Sequence, residues 1–157
     1  MFSRRSLFIV ATAVGVVACT TYPPRYGPPV YRVAQINAAT KAPFGSYLVD
    51  GAGRAVYILD GTRNGAGMNR CMRECLRVWP PLHTSGRPTA GPGVDPRRLG
   101  SMPMHGAPHV TYAGWPLYYY HRDRGPGDTT GQAVQDRWGY WYLMSPSGEP
   151  IRPRRGY

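Results

Sequence analysis

The stretch His109-Val110-Thr111-Tyr112-Ala113-Gly114-Trp115-Pro116-Leu117-Tyr118-Tyr119-Tyr120 decides the fold class. β-branched and aromatic residues stand on both sides of a short turn containing glycine, which is the pattern of a β-hairpin. A second such pattern lies upstream. Ser46-Tyr47-Leu48-Val49 leads through Asp50-Gly51-Ala52-Gly53 into Ala55-Val56-Tyr57-Ile58-Leu59. A third strand reads as Tyr140-Trp141-Tyr142-Leu143-Met144, closed by Ser145-Pro146-Ser147-Gly148. With 20 Gly and 17 Pro in 157 residues, long helices are disfavoured. The expected fold is therefore mainly β: a small domain of two related hairpins and a third aromatic strand, with one short disulfide-bearing helix.

That helix is expected between the hairpins. Asn69 can cap it and Pro80 stops it. Met72, Cys75, Leu76 and Trp79 fall on one apolar face, while Arg73, Glu74 and Arg77 point away. Cysteines four apart on a helix have Cα atoms about 6 Å apart, so Cys71 and Cys75 are within disulfide reach.

The N-terminus reads as an export signal. Arg4-Arg5 precedes an apolar run from Leu7 to Ala18, which is shorter than the about 20 residues a spanning helix needs. An uncleaved anchor is the alternative. The pair of arginines also resembles a twin-arginine signal. Val16-Val17-Ala18-Cys19 resembles the lipobox of bacterial lipoproteins. That resemblance implies cleavage after residue 18, acyl chains such as palmitate on Cys19, and attachment to a membrane. Thr20, rather than Asp, follows the cysteine, which by the same resemblance implies an outer-membrane location facing the periplasm. Lipidation also accounts for the odd count of three cysteines, leaving Cys71 and Cys75 to oxidise outside the cytoplasm.

The expected organisation is a signal over 1–18, a lipidated Pro/Tyr/Arg-rich tether over 19–43, a β domain over 44–150 and a basic tail over 151–157. The tether's prolines favour extended polyproline II. A Pro-rich peptide ligand is the sharper reading of the same stretch. The formal net charge is +11, and every basic residue but Lys41 is an arginine. In an exported protein this points to anionic lipid head groups or other anionic envelope polymers rather than to nucleic acid. Scattered arginines are equally the pattern of a solvated surface.

The two hairpins look like copies of each other. Arg54-Ala55-Val56-Tyr57 runs into a Gly-rich loop with Asp60. Trp115-Pro116-Leu117-Tyr118 runs into one with Asp123 and Asp128. Tyr118-Tyr119-Tyr120-His121-Arg122-Asp123 carries the Tyr-x-aromatic-x-x-Asp pattern, and here the chain resembles the secreted-repeat family of bacterial lipoproteins. Cys71-x-x-x-Cys75 before Trp79-Pro80-Pro81-Leu82, and Gly125-Pro126-Gly127-Asp128-Thr129-Thr130-Gly131-Gln132 before Trp138, are similar to the family as well. The first copy departs from the pattern, with Leu59 for the aromatic and Thr62 for the acid. The resemblance implies an exported lipoprotein with no established biochemical function.

Three groups could carry chemistry. Met102, Met104, His105 and His109 offer thioether and imidazole donors suited to copper, with Met68 and Met72 adding to the soft-donor count; in the alternative they are loop residues. Cys71 and Cys75 form a structural disulfide or a thiol-redox pair, though redox motifs usually space the cysteines three apart. Tyr118 and Tyr120 fall on one strand face and form either an aromatic binding surface or the core of a small domain, the latter favoured. Asp123 is expected to fix its own loop, with a Ca²⁺ site shared with Asp128 as the alternative. Nucleophile-elbow, metalloprotease and phosphate-loop signatures are missing. The expected function is a non-enzymatic envelope interaction or structural role without a cofactor, and the alternative is periplasmic copper binding.

Overall fold

The computed structural model describes residues 31–104 and 106–153. The signal segment, residues 19–30 of the tether, His105 and the end of the tail lie outside the described residues. Nine strands are present in the described residues: β1 Gln35–Lys41, β2 Gly45–Asp50, β3 Tyr57–Leu59, β4 Thr89–Ala90, β5 Leu99–Met102, β6 His109–Tyr112, β7 Trp115–Pro116, β8 Val134–Asp136 and β9 Gly139–Leu143. They form three small sheets ordered β2-β1-β4, β3-β9-β8 and β5-β6-β7. The chain is mainly β, as its turn and strand pattern predicts.

The second hairpin forms as expected. β6 pairs antiparallel with β7, Tyr112 opposite Trp115. Its turn residues Ala113 and Gly114 both have positive φ, 50° and 81°, the geometry that matches the twist of the flanking strands. The first hairpin forms only next to its turn. Val49 bridges Ala55, and the strand then leaves to pair with β9, Tyr57 opposite Leu143. The aromatic third strand is β9, and it lies between β3 and β8.

Two expectations are corrected. Residues 35–41, assigned to the tether, are β1, paired with β2 from Ile36↔Asp50 to Lys41↔Gly45. The prolines that suggested a tether stop at Pro29, so every backbone donor from Val30 to Ala42 is free to pair. The domain therefore begins before residue 44. The helix is also shorter than its periodicity predicts. It is α1, Cys75–Val78, preceded by a separate 3-10 turn at Met68–Arg70. Arg73 between them has φ of 48°, which no continuous helix allows. Cys71 thus lies outside α1, and the Cys71–Cys75 disulfide joins Cα atoms 4.9 Å apart rather than at helical spacing. Both cysteines are buried, while Met72 is 40% exposed instead of facing inward.

Strand alternation divides the core in two. Tyr57, Leu59, Tyr118, Tyr120, Trp141 and Leu143 pack on one side with Trp79 and the disulfide. Val56, Ile58, Leu117, Tyr142 and Met144 pack on the other with Ile36, Leu82 and Val110.

The two copies meet about a local pseudo-twofold axis. Tyr57 N donates to Tyr118 O and Tyr118 N donates to Tyr57 O, both at 2.8 Å. Trp79 and Trp141 stack face to face, with centroids 4.0 Å apart and planes 8° from parallel. Each indole meets its own copy's tyrosine edge-on, Trp79 with Tyr57 at 5.7 Å and Trp141 with Tyr118 at 5.2 Å. The closing segments are exchanged. Met144 O, at the end of the second copy, accepts from Leu48 N in the first; Leu82 O, at the end of the first, accepts from Val110 N in the second. Likewise Leu143 lies opposite Tyr57, and Pro81 lies opposite Tyr118. Neither copy holds its own closing strand. A fragment of residues 99–153 is therefore expected to show no cooperative thermal transition, whereas mixing it with residues 31–98 restores one; circular dichroism of the separate and mixed fragments checks this.

Candidate functional site

Hydrogen bonds at the pseudo-twofold centre engage Tyr118 and Asp123 of the aromatic motif. Tyr118 is fully buried and Tyr120 is 9% exposed. Tyr120 stacks on Trp79 with centroids 4.2 Å apart. Asp123 does more than fix its own loop. Its Oδ2 accepts from the Tyr57 hydroxyl of the first copy at 2.6 Å. Its Oδ1 accepts from the Thr130 backbone N at 2.9 Å and hydroxyl at 2.5 Å. Burial first, then the Asp123 carboxylate, pushes the Tyr57 phenol far above its ordinary range, so it stays a donor. Gly131 N donates to the same phenol oxygen at 3.3 Å. A Cβ on Gly131 would stand 2.9 Å from Tyr57 Cζ and 3.0 Å from Trp79, so the crossing needs glycine there.

The first copy shows what loss of the acid does. Thr62, at the acid's place, is buried and donates its hydroxyl to Leu59 O at 2.7 Å. Tyr118, the counterpart of Tyr57, then has no carboxylate to meet. Its hydroxyl donates to Met68 Sδ at 3.6 Å.

Residues 104–144 match the family model of a secreted repeat of unknown function. This is the family that the Tyr118-x-Tyr120-x-x-Asp123 pattern resembles. No curated protein and no solved structure matches the chain. The matched secreted repeat covers the second hairpin, the Asp123 loop, β8 and β9, and its description supports export. The first copy lies outside the match, yet supplies the tyrosine that the motif acid binds.

Outside the secreted repeat's motif, Asp50 holds the other intercopy contact. Its Oδ1 accepts from Ala52 N and Arg54 N, both at 2.9 Å. Its Oδ2 accepts from Arg54 Nε at 2.9 Å, Arg54 Nη2 at 2.8 Å and the Tyr119 hydroxyl at 2.8 Å. Burial alone would raise this carboxyl's pKa, but the bonds from Arg54 and Tyr119 outweigh it and lower it. The Arg54 guanidinium lies 4.1 Å over the Tyr119 ring. Sequence reasoning missed this knot and the Tyr57–Asp123 bond. The signal was available in the matching spacing of Trp79-x-x-Leu82 and Trp141-x-x-Met144, which marks the exchanged closing segments.

Of the Met/His set, Met102 and Met104 line one cavity and His109 faces the core. His109 is buried, and its Nε2 donates to Leu117 O at 2.6 Å. Its Nδ1 has no partner among the described residues. Burial, opposed by the Leu117 carbonyl, lowers its pKa to about 4. β6 alternation explains the placement, since His109 takes a strand position backed by Tyr118 at 4.7 Å and by His83 at 6.1 Å. His105 lies outside the described residues. Met102 and Met104 are half-buried beside Pro103. Nor do the two acids of the Ca²⁺ reading hold free oxygens in common: Asp128 Oδ2 accepts from Arg124 N at 2.7 Å and Gly125 N at 3.1 Å. The Cys71–Cys75 sulfurs are buried against the indole cluster, a structural placement rather than one that offers a thiol to a substrate.

Two outcomes follow from these geometries. Tyr57→Phe and Asp123→Asn are expected to couple by about 1–2 kcal/mol in a double-mutant cycle read by urea unfolding, and Tyr118→Phe to cost less than Tyr57→Phe because sulfur is the weaker acceptor. His109 binds a proton more readily unfolded than folded, so the unfolded state takes up protons first as pH falls. Its contribution is fully present above about pH 6.5 and is lost toward about pH 4, by up to about 3 kcal/mol. Melting temperatures across that range should fall less steeply in His109→Gln than in the unsubstituted protein.

Proposed function

We propose that the chain is a non-catalytic module of the bacterial envelope, held at the outer membrane by lipid on Cys19, that docks to anionic envelope polymers through arginines. One observation carries the non-catalytic part. The motif's acid, Asp123, spends both oxygens on Tyr57 of the other copy and on Thr130, and the Tyr118 hydroxyl donates to Met68, which makes the motif a clasp. Catalytic groups need oxygens or nitrogens left open toward a substrate.

Arginine placement supports the docking surface. Arg73, Arg77, Arg122 and Arg124 are exposed and form no ion pair among the described residues. His121 N donates to Val78 O at 3.0 Å, which lays the Arg122–Arg124 loop beside α1, which carries Arg77, and the turn before it, which carries Arg73. A rigid scaffold with clustered cations suits a polyanionic surface, with binding weakened by salt.

Purified protein is expected to bind vesicles containing anionic lipid, or lipopolysaccharide, more than zwitterionic vesicles. Converting these four arginines to glutamine should remove most of that difference in a co-sedimentation assay. In cells, Cys19→Ala should shift the protein out of the membrane fraction or leave it unprocessed. Normal processing with membrane retention would falsify the anchor.

A further inference from the structure

In the degenerate first copy threonine stands at the acid's place, so the Tyr118 hydroxyl meets a sulfur instead, and that sulfur has company. Met68, Met72 and Met104, with Pro103, line an open cavity of about 410 Å³. These three methionines come from separate places in the chain. Met68 belongs to the 3-10 turn before the disulfide, Met72 lies within the loop that the disulfide closes, and Met104 follows β5. Met144 shows how this fold uses methionine as filler: it is fully buried. The cavity methionines do the opposite. Met72 is 40% exposed, and Met68 and Met104 are each half-buried at the cavity wall.

From this convergence we infer that Met68, Met72 and Met104 form a thioether site for a soft monovalent cation, Cu(I) or Ag(I). The site is independent of the polyanion reading above, and it keeps Met104 of the Met/His set but uses Met68 and Met72 in place of Met102 and the histidines.

Donor chemistry selects the ion. A neutral thioether is a poor ligand for hard cations such as Mg²⁺ or Ca²⁺, which take oxygen, and binds soft ions such as Cu(I). Three thioethers carry no charge and release no proton on binding, so affinity should change little with pH. Two of the three donors are held in place. The Tyr118 hydroxyl donates to Met68 Sδ at 3.6 Å and so fixes its sulfur, leaving one lone pair for an ion. The Met72 backbone is pinned between the bonded Cys71 and Cys75. Position supports the reading too. At the second copy's loop the corresponding hydroxyl, that of Tyr57, meets the Asp123 carboxylate, an oxygen rather than a soft donor. Divergence of one copy thus removed a carboxylate clasp and opened a sulfur-lined cavity at the same place.

Titration of the purified full chain with Ag(I), followed by native mass spectrometry and intrinsic fluorescence, tests this. One ion per chain with micromolar or tighter affinity is expected. Fluorescence should change on binding, since Tyr118 lies edge-on to Trp141. Cu(I) should compete for the same site, and Zn(II) should not. Leucine keeps the volume of methionine and removes the sulfur, so Met68→Leu, Met72→Leu and Met104→Leu preserve the fold. Each is expected to weaken binding, and the triple variant by at least about tenfold. Met102→Leu should leave it unchanged. Absence of Ag(I) binding overturns the proposal. So does binding that survives in the triple variant at an unchanged melting temperature, or that is lost instead in His105→Ala. If the triple variant fails to fold, the three single variants decide, and full retention of affinity in all of them overturns it.

Discussion

Two backbone hydrogen bonds between Tyr57 and Tyr118 stand at the point on which the rest of the domain depends. Each residue is at once the end of its own hairpin and the partner of its counterpart. The bonds are reciprocal, so the chain can satisfy both only if the two copies approach about a twofold axis. That approach stacks Trp79 on Trp141 and brings Tyr57 to Asp123. It also aligns each closing segment with the other copy's hairpin. Aromatic pairs of this kind add about 1 kcal/mol each beyond their burial, and four of them share this centre. In a chain whose strands are two to seven residues long, no single sheet is large enough to be stable alone. Stability must come from interlocking.

The same geometry explains how the motif acid is spent. A tyrosine hydroxyl and a carboxylate in a buried setting must find partners or cost several kcal/mol. Here each is the other's partner, and they come from different copies. Asp50 repeats the device with Arg54 and Tyr119. Both acids are thus crossing ties. The basic excess lies on the outside, where Arg73, Arg77, Arg122 and Arg124 face solvent. The inside of the fold holds the copies together, and the unpaired arginines lie on its surface.

Local pattern made the β class, the second hairpin, the aromatic third strand and the disulfide legible in the sequence. Period-two alternation and turn chemistry act over a few residues and can be read directly. The helix was overextended because periodicity across Met72–Trp79 carries no information about the left-handed backbone at Arg73. β1 was missed because prolines upstream coloured a stretch that contains none between Val30 and Ala42. The crossing of the copies was not legible at all from either hairpin alone. Tyr57 and Asp123 are 66 positions apart, and nothing in local pattern joins them. His109 reads as an exposed ligand by composition, yet its strand position points it into the core.

Exchange of closing strands also has a consequence for ancestry. A chain with one copy would have a hairpin lacking its closing strand and a closing strand lacking its hairpin. Two such chains satisfy each other only as an isologous pair, with the contact between Tyr57 and Tyr118 lying on a true symmetry axis. Fusion of the two into one chain turns that obligatory dimer into a monomer. It also lifts the requirement that both halves mutate together. Only after such a fusion can one half keep its acid while the other trades it for threonine and methionine. The asymmetry between Asp123 and Thr62 is what one chain carrying both copies permits.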